Sequence, residues 1–173
     1  MACYFAPPLQ MQEIGAARAR VAEYLGSLRA SPRIVASKDA TGTYMTPFCD
    51  CIVLGPRGRN VDVISHELVH TELNARVGFL RRTFSIPTWF DEGMALHADL
   101  RPAYGEEAYQ KATRNGQTAP RLRDLDTAKK VHASSYVSYL TARHEFERWY
   151  AVKGRDGLLG LMDAVRGGRG FRF

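Results

Sequence analysis

His66, Glu67 and His70 stand together as HELVH inside the stretch Val61 to Val77, VDVISHELVHTELNARV. On an α-helix, residues four apart lie one turn above each other on the same face, so His66 and His70 can point two imidazoles at a single ion. Glu67, one residue round, flanks that ion. Zinc in a hydrolytic site takes three protein ligands and a water, lowers the pKa of that water to about 7, and works beside a carboxylate that accepts the proton. These residues predict one Zn2+ per chain, with His66 and His70 as metal ligands and Glu67 as the general base.

The third ligand has to come from elsewhere. An extended metzincin pattern requires glycine at position 73 and histidine at position 76, where the chain carries Leu73 and Arg76, so that class is excluded. The better candidate is Glu92, in the segment Ile86 to Ala95, IPTWFDEGMA. It opens a second helical stretch whose small residues, Gly93 and Ala95, permit close packing against the first. Asp91 reads as a helix-capping group paired with Thr88, or as a carboxylate that orients a ligand histidine. Asn74, one turn beyond His70, reads as a surface amide with the same orienting role as its second option. His97 reads as a packing or surface residue, and His144, among Arg143, Glu145 and Glu147, as solvated.

The elements that must hold these groups follow from periodicity and breakers. Gln10 to Leu28 carries Ile14, Ala17, Val21 and Leu25 at helical spacing. Arg33 to Ser37, Tyr44 to Phe48 and Cys51 to Leu54 read as short strands, closed by a Gly55-Pro56-Arg57-Gly58 loop. The HELVH helix starts after Asn60, a good N-cap, with Asp62 in its first turn, and stops at Gly78. Its apolar residues on two sides predict a largely buried helix, with Ser65, Glu72 and Arg76 facing water. Arg81-Arg82-Thr83 reads as a basic linker, and Arg101 to Thr127 as polar chain with a short helix around Glu106 to Lys111. Ser134 to Lys153 is a long amphipathic helix stopped by Gly154, and Leu158 to Val165 a final short one.

With 173 residues, 45% hydrophobic and 24% charged, the chain has the size and balance of one globular domain spanning 1–173, with no low-complexity tract. The net charge of +6 is dispersed, with a small knot at Arg166, Arg169 and Arg172. No nucleic-acid module or aromatic-interleaved basic run accompanies it, so nucleic acid is not the expected partner. Cys3, Cys49 and Cys51 lack the spacing of a sulfur metal site and read as packing residues, a bridge from Cys3 being the lesser option. No stretch has the apolar length of a membrane span, and MACYFAPPLQ lacks the order of a secretion signal. The expectation is a cytoplasmic protein, or a periplasmic or secreted one if an upstream signal or anchor was removed.

HELVH followed by PTWFDEGMA resembles the gluzincin zinc metallopeptidases, most closely the bacterial peptidase-MA-like families, over roughly residues 33 to 173. The resemblance implies a zincin-like α+β fold, a small, mostly antiparallel sheet packed against the zinc-binding HExxH helix and several further helices. It implies Glu92 as the third zinc ligand and an edge strand along the cleft. It also implies a tyrosine or histidine that stabilises the oxyanion of the tetrahedral intermediate. Tyr136 is the choice for that catalytic role, with His132 and Tyr139 as rivals that no spacing rule separates. The expected function is hydrolysis of a peptide or protein substrate. The alternative is a catalytically silent zincin-fold module that holds a peptide or assembles with a protein partner; a secreted effector or toxin would share the chemistry and differ only in destination.

Overall fold

The computed structural model describes residues 11–38, 43–46, 50–127, 131 and 135–172; Cys3, Cys49 and His132 lie outside them. The first helix, α1 (Met11–Leu25), buries Ala17, Val21 and Leu25 at four-residue spacing. It ends earlier than the sequence suggests, because Gly26 takes φ 75° and its N–H closes on the Ala22 carbonyl at 2.9 Å.

Three short strands follow: β1 (Arg33–Ala36), β2 (Thr43–Thr46) and β3 (Cys51–Leu54). They form one sheet in the order β1-β3-β2, with β1 parallel to β3 and β2 antiparallel to it. The sheet is thus evenly mixed rather than mostly antiparallel. The physical reason is the crossover: β2 takes the opposite edge, so β3 returns beside β1 in the same direction. Ile34, Ile52 and Leu54 join the main core, while Val35, Cys51 and Val53 cluster separately, as alternation requires. Cys51 is buried as expected but disulfide-bonded, which the packing reading missed.

The HELVH helix, α2 (Val61–Val77), has both predicted ends. The Asn60 carboxamide oxygen accepts from the Val63 N–H at 3.0 Å, and Gly78 adopts φ 86° as its N–H closes on the Asn74 carbonyl. The expectation that Ser65, Glu72 and Arg76 face water is wrong, since all three are buried. The Glu72 carboxylate accepts from the backbone N–H groups of Arg29 and Ala30 and from Arg76 Nε at 2.6 Å. Arg76 Nη2 in turn donates to the carbonyls of Leu25 and Ser27. The pair therefore serves the backbone groups left open where α1 ends.

The basic linker is itself a helix, α3 (Phe79–Ser85), and α4 (Thr88–Ala98) begins after Pro87 with no side-chain cap. Thr88 is not the cap, and Asp91 is committed elsewhere. A polar stretch containing α5 (Glu106–Thr113) leads to α6 (Ser135–Arg166), which Gly154 breaks at φ 61°, ψ −168°. The two expected C-terminal helices are therefore one broken element. Gly93 of α4 sits against α6, not against α2 as its small size suggested: an added Cβ would lie 2.3 Å from the Ala142 carbonyl oxygen and 2.8 Å from Phe146 Cβ. The buried cluster that joins α1, the sheet, α2, α4 and α6 gives an α+β fold dominated by helices. No helix among the described residues is long and apolar enough to cross a membrane.

Candidate metal centre

Helix α2 sets His66 and His70 edge to face, their ring centroids 4.9 Å apart and their Nε2 atoms 3.2 Å apart. Helix α4 crosses α2 and brings Glu92 Oε2 to 3.5 Å from His66 Nε2 and 3.8 Å from His70 Nε2. A tetrahedral ion with bonds of about 2.0–2.1 Å needs ligand atoms roughly 3.3 Å apart, and these three spacings bracket that edge. Three basic atoms converging so closely repel one another unless a cation or a proton lies among them. His66, His70 and Glu92 can thus hold a metal ion with two nitrogen donors and one oxygen donor.

The orientation of His70 is fixed from behind. Its Nδ1 lies 2.8 Å from Asp91 Oδ1, and a carboxylate can only accept, so the ring donates there and turns the Nε2 lone pair toward Glu92 and His66. Asp91 Oδ2 accepts from Arg82 Nε at 2.7 Å, and Arg82 Nη1 donates to Asn74 Oδ1 at 3.2 Å. Burial alone would raise the Asp91 pKa, but the charges and hydrogen bonds of Arg82 and His70 hold it well below the usual carboxylate range. Burial alone would lower the His70 pKa; the charge and hydrogen bond of Asp91, with Glu92, raise it above the ordinary imidazole value. Glu92 is held ionised, since the neighbouring His66 and His70 outweigh its burial.

His66 is held differently. Its Nδ1 is buried without a hydrogen bond, and the nearest carboxylate oxygen, Asp99 Oδ2, stands 3.9 Å away. Asp99 is fully buried at the end of α4, where Arg101 Nε reaches both of its oxygens at 2.9 and 3.0 Å and Arg101 Nη2 also donates to it.

Beside the cluster is a cavity of about 460 Å³ whose lining includes His66, Glu67, Arg57, Arg101, Tyr104 and Tyr139. Glu67 is nearly buried, one residue round from the ligand face, and lines the same wall as His66. Tyr139 is half-buried; burial first, then the negative charges of Glu92 and Glu67, push its phenol pKa well above the ordinary value, so it stays an O–H donor. Tyr136, the residue chosen from the sequence, is not in this wall. It is exposed on α6, its hydroxyl donates to the Ala103 carbonyl, and it borders a separate depression beside α5. Of the three rivals, Tyr139 faces the cavity, Tyr136 does not, and His132 lies outside the described residues.

His97 packs among Tyr24, Phe146 and Tyr150, the first of the two roles the sequence left open. His144 is partly exposed, stacks on Tyr109 at 3.9 Å and lies 2.8 Å from Glu106. Sequence reasoning missed Asp99, Arg101, Tyr104 and the role of Arg82. The signal for Arg82 was weak but present: a basic residue shortly before an Asp-Glu pair can neutralise the member that is not a ligand. Asp99 and Arg101 had none. No protein-family model, curated protein or solved structure matches the chain.

Proposed function

We propose that the chain is a zinc metallopeptidase of the gluzincin type with a zincin-like arrangement, binding one zinc through His66, His70 and Glu92. The observation that carries the reading is the convergence of these three donors at tetrahedral spacing beside a cavity that His66 lines together with Glu67 and Tyr139. Zinc held there supplies a Lewis acid, polarising a carbonyl and bringing the pKa of a water to about 7. Glu67 accepts the proton from the attacking water and passes it to the leaving amine. Tyr139 donates its hydroxyl proton in a hydrogen bond to the oxygen that gains charge in the tetrahedral intermediate. Asp91 and Arg82 keep the His70 ring from turning.

A peptide-library cleavage assay run with and without chelator, beside Glu67→Gln, tests this. Chelator-sensitive cleavage that Glu67→Gln abolishes, with zinc and fold retained, supports the peptidase. If the Glu67→Gln protein keeps the full biological activity, the alternative of a peptide-holding or assembly module takes its place.

A further inference from the structure

We infer that the cavity selects peptides carrying a carboxylate next to the scissile bond, and that Arg57 and Arg101 are the residues that read it. The inference rests on the peptidase reading and deepens it. Among the described residues that line the cavity, Glu67 is the sole acid, while Arg57 and Arg101 are the two cations. They are anchored differently, Arg57 through the cap of the ligand-bearing helix and Arg101 through Asp99 at the end of α4.

Arg57 belongs to the short turn Pro56–Gly58, pinned where the Gly58 N–H donates to the Gly55 carbonyl at 2.9 Å. Asn60 Nδ2 donates to the Arg57 carbonyl at 3.1 Å, while Asn60 Oδ1 caps the helix that carries His66, Glu67 and His70. The backbone of Arg57 is thereby tied to the ligand-bearing helix, and its guanidinium makes no ion pair among the described residues. It stands exposed at the cavity wall as a cation available to a ligand.

Arg101 follows α4. Asp99 engages its Nε and Nη2, and its guanidinium carbon sits 4.9 Å from the centre of the Tyr104 ring. That leaves Nη1 for a ligand while the planar head is held on two sides. A guanidinium presents donors in the geometry that a carboxylate accepts. A basic peptide would meet the unpaired Arg57 cation here, and a carboxylate would meet two donors, one free and one pre-oriented by Asp99. The net charge of +6 adds long-range attraction for acidic chains. The carboxylate can be an Asp or Glu side chain or the free terminus of the substrate, since the recognition chemistry is the same.

The test uses the zinc-reconstituted full chain and fluorogenic peptides that carry Glu, Ala or Lys beside the scissile bond, each with a free or an amidated C-terminus. The expected result is chelator-sensitive cleavage with kcat/KM about tenfold higher for the carboxylate-bearing peptide than for Lys, declining as salt rises. Arg57→Ala collapses the ratio and Arg57→Glu reverses it, whereas Arg59→Ala, outside the wall, keeps it. Preference for Glu in amidated peptides assigns a side chain, and preference for a free C-terminus assigns the chain end. Chelator-sensitive cleavage with no preference, or with a ratio unmoved by Arg57→Glu, overturns the inference and leaves the peptidase standing. If no peptide is cleaved, the peptidase reading falls. Fluorescence anisotropy with the same peptides then decides: tighter acidic binding lost in Arg57→Ala supports the recognition, and equal binding overturns it.

Discussion

Asp91→Asn removes one negative charge from the chain Asn74, Arg82, Asp91, His70 while leaving the shape of the side chain. Asp91 is largely buried and accepts two short bonds, 2.8 Å from His70 Nδ1 and 2.7 Å from Arg82 Nε. Hydrogen bonds to charged groups are each worth about 1.5–3 kcal/mol, and breaking a buried ion pair costs about 3–5 kcal/mol. Asparagine keeps one acceptor, so the loss in the metal-free chain should be about 2–3 kcal/mol. The charge loss also frees the His70 ring, and removing such an orienting partner lowers metal affinity about 10- to 100-fold.

The pH dependence follows from the two shifts in the metal-free chain. The Asp91 pKa is depressed, so its contribution is present above the unfolded value of about 3.9 and fades as pH falls through the folded one. The His70 pKa is raised, so its contribution is complete below about 6.5 and is lost as pH rises through the folded value. The difference between wild type and Asp91→Asn should therefore be largest between about pH 4 and pH 6.5. Urea denaturation of chelator-treated protein at several pH values, with a competitive zinc titration, measures both quantities. A stability change under about 0.5 kcal/mol together with unaltered zinc affinity would refute the argument.

Gly93→Ala places a methyl group 2.3 Å from the Ala142 carbonyl oxygen, so α4 must separate from α6. Thermal unfolding should show a loss of at least about 1–3 kcal/mol, with weaker zinc binding because Glu92 is the neighbouring residue. Tyr139→Phe should lower kcat about 100-fold with zinc content intact, while Tyr136→Phe, outside the cavity wall, should alter kcat little; single-turnover kinetics separate the two. Glu72→Ala strands the Arg76 guanidinium and the Arg29 and Ala30 N–H groups, and should cost about 3–5 kcal/mol in a denaturant titration.

The ends of α2 were readable because they rest on local chemistry: an asparagine that caps and a glycine that accepts positive φ. Glu92 was readable for a similar reason, since the segment around it carries its own pattern. Long-range partners were not. Nothing near Glu72 in sequence announces that its carboxylate serves two amides beyond α1, so charge alone wrongly assigned it to water. Asp91 looked like a cap because capping is the local use of an aspartate in a first turn, yet its real partners come from α2 and α3. Tyr136 and Tyr139 lie less than one turn apart on α6, and periodicity cannot say which of two adjacent positions faces a cavity built by other elements. The parallel pairing of β1 with β3 was hidden for the same reason, because strand direction depends on the crossover and not on the strands.

Zinc X-ray absorption spectroscopy on the reconstituted full chain tests the central claim most directly. The account predicts about one zinc per chain, with two imidazole nitrogens and oxygen donors at about 2.0–2.1 Å and no sulfur, and loss of one oxygen donor in Glu92→Ala. A folded chain that takes up no zinc, or a zinc bound through sulfur at about 2.3 Å, would contradict it.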